Sequence, residues 1–389
     1  MGRAIYRAHS LGARVLTRDD AMGEQTDALV VGAGVVGLAV ARALARRGLE
    51  VAVIERHRRP GEETSSRNSG VIHSGLYYPP GSLKARLCVA GRDLLYAHCQ
   101  ENHVDYRRCG KIIVAQEAQL ERLQALRIGA LANGVTDLRR LDAQEVRELE
   151  PAIRCGSGLL SPSTGIVDVH GLMSSLQGSL EAHGGVVALN CELLEASVAE
   201  RGLLATVRSG EDRTTISCRW LINSAGLQAC ALLSRIHGYP RARLPTAYFA
   251  KGSYFACRAA KSWHHLVYPL PNEAGLGVHA TLDLDGSVRF GPDVEWVSAP
   301  DYALDAARAE GFYAAIREYW PALPDGSLEP AFAGVRPKLV GAGHPAADFV
   351  IEAPEDHGVA GLINLLGIES PGITASLAIG EEIVRRIGL

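Results

Sequence analysis

Residues 27–55 run from an apolar strand (DALVV) through a glycine turn (GAGVVG) and a helix reaching about Arg47 to a second apolar strand (VAVIE). This order is the start of a βαβ unit built to receive a dinucleotide. Gly32 permits the tight turn, Gly34 lets the backbone approach a pyrophosphate, and Gly37 lets helix and strand pack closely. The helix N-terminus then faces the phosphates. Glu55 stands 18 residues after Gly37 at the end of the second strand, placed to accept hydrogen bonds from ribose hydroxyls.

The rest of the composition narrows the class. With 389 residues, 47% of them apolar, the chain has material for a large core and two or three folding units, which excludes disorder. Forty basic against 43 acidic residues leave a net charge of −3, so no basic stripe is available for nucleic acid. Eight cysteines show no CxxC pair and no zinc spacing. No metal is expected, and the cysteines read as reduced thiols of a cytoplasmic protein. The longest uncharged apolar stretch, Ala28–Ala41, has 14 residues, short of the ~18 that span a bilayer. The first 21 residues carry four arginines and no apolar run of signal-peptide length. Residues 1–26 are therefore read as a tail outside the fold, with Met22 as the natural initiator or residues 1–21 as a mobile extension.

The fold class is α/β with an α+β substrate part. Periodicity predicts helices over about 82–102, 116–132, 142–149, 170–183 and 301–319. Strands are expected at 111–115, 186–198, 203–208, 219–223, 247–256 and 276–297. A closing strand (Leu362–Leu366) and a helix from about Gly372 to Arg386 repeat the strand-turn-helix texture. The nucleotide domain is accordingly assembled from separated segments, 27–85, 151–235 and 326–389, around a mixed-sheet substrate or cap domain at 86–150 and 236–325.

NAD and FAD both use the glycine turn, so the choice between them rests on the residues beyond Glu55. Residues 64–82 (TSSRNSGVIHSGLYYPPGS) form a long polar, glycine-rich loop, and such loops usually carry function. Thr64, Ser65 and Ser66 offer hydroxyls to a pyrophosphate, while Gly70 and Gly75 let the backbone pass a flat ring. Together with Gly32–Gly37 and Glu55, this loop resembles the D-amino-acid oxidase superfamily of FAD enzymes. INSAG (Ile222–Gly226) resembles that superfamily's second dinucleotide contact. LLGIESPGITASLAIG (Leu365–Gly380) resembles its flavin segment, in which a helix N-terminus faces the isoalloxazine. The strings SSRNSGVIHSGLYYPPGSLKARLC, GLGVHATLDLDGSVRFGPDVEW and GVRPKL resemble, more narrowly, the L-2-hydroxyglutarate dehydrogenase (oxidase) family, from about Asp27 to the C-terminus. The resemblance implies FAD as cofactor, with Arg56, Asn68, Ala225, Gly226, Gly367, Gly372 and Ile373 joining the residues above in holding it. A covalent flavin link is not expected, because the dinucleotide contacts are complete without one.

Flavin oxidation of a 2-hydroxy acid needs a base for the hydroxyl proton and cations for carboxylates. His73 sits in the loop expected to cross the flavin, where a neutral imidazole can take that proton, only pack, or carry a covalent flavin bond. His279 rests on strand geometry. A three-residue loop Leu284-Asp285-Gly286 pairs Leu282 with Val288 and Ala280 with Phe290. His279, Thr281 and Arg289 then share a polar face that is either solvated or, as the resemblance implies, turned to the site. Arg336 and Lys338 flank Pro337 and can point the same way, either as an exposed basic pair or as cations for a dicarboxylate, with Arg336 holding a carboxylate and Lys338 the weaker candidate for supporting charge. Of Tyr77 and Tyr78, one is expected to line the cavity while the other packs. His264 and His265 would point to opposite strand faces, which argues against a metal site.

The expected function is FAD-dependent oxidation of L-2-hydroxyglutarate to 2-oxoglutarate. The alternatives are another small 2-hydroxy or 2-amino acid as substrate, and a non-catalytic FAD-binding redox sensor. Oxygen, a quinone or an electron-transfer flavoprotein would each serve as electron acceptor without changing these motifs, and a quinone would place the protein at a membrane surface.

Overall fold

A computed structural model describes residues 24–200, 202–271 and 277–389. Strand β1 (Glu24–Val31) begins three residues before the expected strand at Asp27, so Glu24–Thr26 belong to the sheet and not to a tail. Residues 1–23, and with them the initiator and tail expectations, lie outside the described residues. Helix α1 (Val35–Ala45) and strand β2 (Val51–Glu55) follow as the pattern predicts.

β1 pairs in parallel with β2 on one side and with the strand Asp212–Asn223 on the other. Val186–Leu189 extends the sheet beyond β2, and Leu362–Leu366 adds in parallel beside Leu221–Asn223. Strands buried on both faces read as continuous apolar runs, which is why Ala28, Leu29 and Val30 are all fully buried. α1 and the helices Leu83–Glu101, Val169–Ala182 and Gly372–Arg386 share one core on this sheet, through Leu38, Leu95, Leu176 and Ile379 among others. The helix Leu83–Glu101 thus packs with the nucleotide sheet, not with the cap to which a boundary at 86 assigned it.

A second sheet runs in the spatial order 295–297, 248–257, 288–291, 279–282, 266–269, 111–115, 157–161, 139–142. Leu328–Lys338 pairs along the length of Tyr248–Cys257. Ser157–Ser161 and Leu328–Lys338 are therefore members of this sheet, and boundaries drawn at 151 and 326 cut through it. The hairpin register is the expected one, Ala280 opposite Phe290 and Leu282 opposite Val288. Its apolar face joins a core with Phe255, Phe312, Trp263 and Trp320. Its polar face is not solvated, since Thr281 is 2% and His279 7% exposed. The stretch expected as a helix over 301–319 is helical only at Ala309–Arg317, after a 3-10 turn begun where the Asp305 side chain caps the Ala307 N–H. No helix among the described residues is long and apolar enough to cross a membrane.

Candidate active site

A cavity of about 1020 Å³ opens at the carboxyl ends of the parallel strands, where Val31, Glu55, Ser224 and Leu365 line it. Crevices at this end of an open α/β sheet are the usual ligand sites. The second sheet closes the cavity from the other side with Tyr254, Tyr268, His279 and Arg336.

The glycine turn has the shape that its sequence demands. Gly32 has φ +102°, and a Cβ there would lie 2.7 Å from the Ser224 carbonyl oxygen. At Gly37 a Cβ would lie 2.0 Å from the Gly32 carbonyl oxygen, so no side chain fits. Gly34 caps α1 in extended backbone, and Val35 N–H donates to Ser65 Oγ at 3.1 Å. The first turn of α1 opens on the cavity. Glu55, 8% exposed, accepts from Ala33 N–H and His57 N–H, each at 2.9 Å. A carboxylate retains further lone pairs beyond these two bonds, so ribose hydroxyls can still be held.

The other expected cofactor residues divide. Thr64, Ser65, Asn68, Arg56, Ala225, Gly226, Gly372 and Ile373 line the cavity. Ser66 and Gly367 are not in its lining. Ser66 Oγ instead donates to the Gly61 carbonyl, fixing the loop from within. Gly367, at φ +65°, turns the chain out of its strand. Asn68 also works inside the loop, its Nδ2 donating to the Ser65 carbonyl, whereas Thr64 ties the loop to the second sheet, its Oγ1 donating to the Val335 carbonyl. Arg56 pairs with Glu63.

At the opposite end, His73 is held at its backbone, where its N–H donates to Thr374 Oγ1 at 3.0 Å. Its Nε2 reaches Ser370 Oγ at 3.3 Å, whereas Nδ1 is buried with no partner among the described residues. Burial keeps this imidazole neutral well below its ordinary range, and the charges of Lys111, His279 and Arg336 push the same way. His279 stacks on Tyr268 with ring centroids 3.6 Å apart. Both Tyr77 and Tyr78 line the cavity, so the sequence expectation that one would only pack is corrected.

Arg336 and Lys338 lie on the same face of Leu328–Lys338, as expected, but their surroundings differ. Lys338 Nζ is bound to Glu369 at 2.8 Å, and Lys84 Nζ reaches the same carboxylate at 3.0 Å. Glu369 is 8% exposed at its side chain, and the two lysines, with Arg336 nearby, hold it below the usual carboxylate range against the opposing effect of burial. Arg336 has no ion pair or side-chain hydrogen bond among the described residues. Tyr268, Lys84, Glu369, Ser370 and Thr374 escaped sequence reasoning. One signal was available: the chain has only five lysines, and three of them, Lys84, Lys111 and Lys338, surround this site.

His264 and His265 precede the strand Leu266–Pro269, and both backbone N–H groups donate to Glu150 Oε1, at 2.8 and 2.7 Å. They serve that buried carboxylate, and no metal-holding cluster of His, Cys, Asp or Glu occurs among the described residues.

Fold and cradle together define a dinucleotide-binding oxidoreductase of the FAD-dependent class, and residues 27–386 match the FAD dependent oxidoreductase family. L-alpha-glycerophosphate oxidase from Mycoplasma pneumoniae, solved with FAD bound, superposes with a TM-score of 0.84 at 25% identity, over 94% of this chain and 95% of that one. Glycine oxidase from Geobacillus kaustophilus has the same fold, with a TM-score of 0.78 at 20% identity over 94% and 95%. L-2-hydroxyglutarate dehydrogenase, mitochondrial, of Arabidopsis thaliana is 42% identical over 99% of this chain and 87% of its own. L-2-hydroxyglutarate dehydrogenase of Escherichia coli (O17:K52:H18) is 30% identical over 93% of each. The chain belongs to the FAD-dependent oxidoreductase family and, within it, to the branch that these dehydrogenases form. FAD is its cofactor. The match to the plant relative covers 99% of the chain and so reaches into residues 1–26, beyond the start of the resemblance expected at Asp27.

Proposed function

We propose that the enzyme oxidises L-2-hydroxyglutarate to 2-oxoglutarate and passes the electrons to a separate acceptor. Bound FAD supplies the hydride acceptor. Everything else required is a matter of holding a dicarboxylate and moving one proton. The observation that carries the reading is Arg336, a guanidinium in the cavity wall with no carboxylate of the described residues within ion-pairing distance, its nearest anion, Glu369, being held by two lysines. It is assigned to one substrate carboxylate, which its planar fork can grip bidentately.

The Lys84–Glu369–Lys338 cluster holds two cations to one anion and leaves one positive charge beside Arg336. That suits the second carboxylate of a dianionic substrate better than a monocarboxylate. Lys338 thus acts through a shared cluster and not as a free partner of Arg336. His73 is assigned as proton acceptor at Nε2, the nitrogen beside Ser370, with Nδ1 carrying the ring's other hydrogen. His279, stacked on Tyr268, and Tyr77 form the wall against which the substrate is oriented. The eight cysteines, none of them in a disulfide, support a reducing compartment, such as the cytoplasm.

Arg336→Ala should lower kcat/KM for L-2-hydroxyglutarate about tenfold to 150-fold, the size of a lost charge-assisted contact of about 1.5–3 kcal/mol. Arg336→Lys should recover part of it, and the flavin spectrum should survive both changes. Unchanged turnover in Arg336→Ala, or equal use of 2-hydroxybutyrate, which lacks the distal carboxylate, would remove the dicarboxylate reading.

A further inference from the structure

Lys111 opens the strand Lys111–Ala115 in the second sheet and is fully buried. The four residues after it are Ile112, Ile113, Val114 and Ala115, so an apolar side chain would suit the strand better. Its Nζ has no hydrogen-bond partner among the described residues. It faces two aromatic rings instead, 4.7 Å from the centroid of Tyr77 and 4.5 Å from that of Tyr268. Both rings line the cavity, Tyr268 stacks on His279, and Lys111 itself is not in the lining. An unpartnered buried amine costs stability. Packing alone therefore gives no reason for a lysine here, whereas its place directly behind the wall of the site does.

We propose that Lys111 is a positioning residue for the oxidation: it holds Tyr77 and Tyr268 behind the substrate space and presents a positive charge toward His73. This rests on the assignment of His73 as proton acceptor. The groups that bear on His73 are Lys111, His279 and Arg336, all cationic or neutral, together with the hydroxyls of Ser370 and Thr374 and the Cys88 thiol. Around Lys111 are the two tyrosines and the thiols of Cys88 and Cys109. Burial pushes Cys88 up to about 12 and Cys109 upward, so neither supplies an anion. Burial brings the Lys111 amine down to about 7. It is therefore charged in the acid range, where an ordinary imidazole would take up a proton and cease to be a base.

The test is the pH profile of kcat/KM in flavin-loaded wild type, Lys111→Met, Lys111→Arg and His73→Gln. Removing the charge in Lys111→Met should move the acid limb upward by about half to one pH unit. Lys111→Arg, which keeps a charge, should leave that limb at or below its wild-type position. An unmoved acid limb in Lys111→Met, with His73→Gln inactive, overturns the role of Lys111 alone. Wild-type turnover in His73→Gln overturns the proton-acceptor assignment, and this proposal with it. Should neither Lys111 variant take up flavin, the ¹⁵N-histidine spectrum of the wild type decides, with His73 identified by the signal lost in His73→Gln. An imidazole titrating below the ordinary value of about 6.5 supports the proposal, and one titrating at or above it contradicts it.

Discussion

Arg336 and Lys338 are two residues apart on one strand, and alternation alone puts them on the same face. What alternation does not reveal is that Glu369, 31 residues further on, arrives between Lys338 and Lys84. A partner that distant in sequence leaves no local trace, so the sequence ranks Lys338 below Arg336 without showing that its charge is already paired. Glu55 is the converse case. Its spacing from Gly37 marked it for ribose, yet its carboxylate also accepts the Ala33 and His57 N–H groups that shape the turn. Glu55→Ala should therefore lower both flavin content and stability, the latter by about 1–3 kcal/mol for the stranded donors. Glu55→Gln, which keeps one acceptor oxygen, should fall between. Flavin-to-protein absorbance ratios and thermal melts check this, and wild-type values for Glu55→Ala in both would refute it.

The elements that could be read from sequence are those whose signal is local. The βαβ start, the helices Leu83–Glu101 and Gly372–Arg386 and the register of the 279–291 hairpin all carry their own periodicity or turn chemistry. Leu328–Lys338 was missed because Pro330 and Pro337 argue against a strand. The structure resolves the conflict by pairing this segment, among the described residues, only with Tyr248–Cys257, which leaves it an edge strand where a missing N–H is tolerated. Ser157–Ser161 is set by pairing with Lys111–Ala115 and Arg139–Asp142, which no pattern within its own five residues announces. At the nucleotide turn, Gly37→Ala should abolish flavin loading and destabilise the fold by about 1–3 kcal/mol, since its Cβ would meet the Gly32 backbone carbonyl as well as the Ser224 hydroxyl. Normal flavin content in that variant would show that α1 can move away from the turn without loss.

At the scale of the whole molecule, the nucleotide sheet supplies the cradle and the second sheet supplies the cations and aromatic wall, so the site exists only where the two meet. Lys111 belongs to that meeting and affects the stability of the whole chain. Burial lowers its native pKa from 10.5 to about 7, so between those values the unfolded chain holds a proton that the native protein has released. Stability from this group accordingly rises with pH from about 7 towards 10.5, and the cost of the buried charge is fully present below 7. Lys111→Met should melt higher than wild type at pH 6, with the advantage shrinking by pH 9. An advantage independent of pH would mean that the amine is not titrating in this window. The central claim, oxidation of a dicarboxylic L-2-hydroxy acid by FAD in this cavity, is tested most directly by anaerobic mixing of the flavin-loaded protein with candidate substrates. L-2-hydroxyglutarate should bleach the flavin fully and rapidly, while D-2-hydroxyglutarate, lactate, malate and glutamate should leave it oxidised or reduce it far more slowly. A flavin that stays yellow with L-2-hydroxyglutarate, or bleaches faster with lactate or glutamate, would contradict the account.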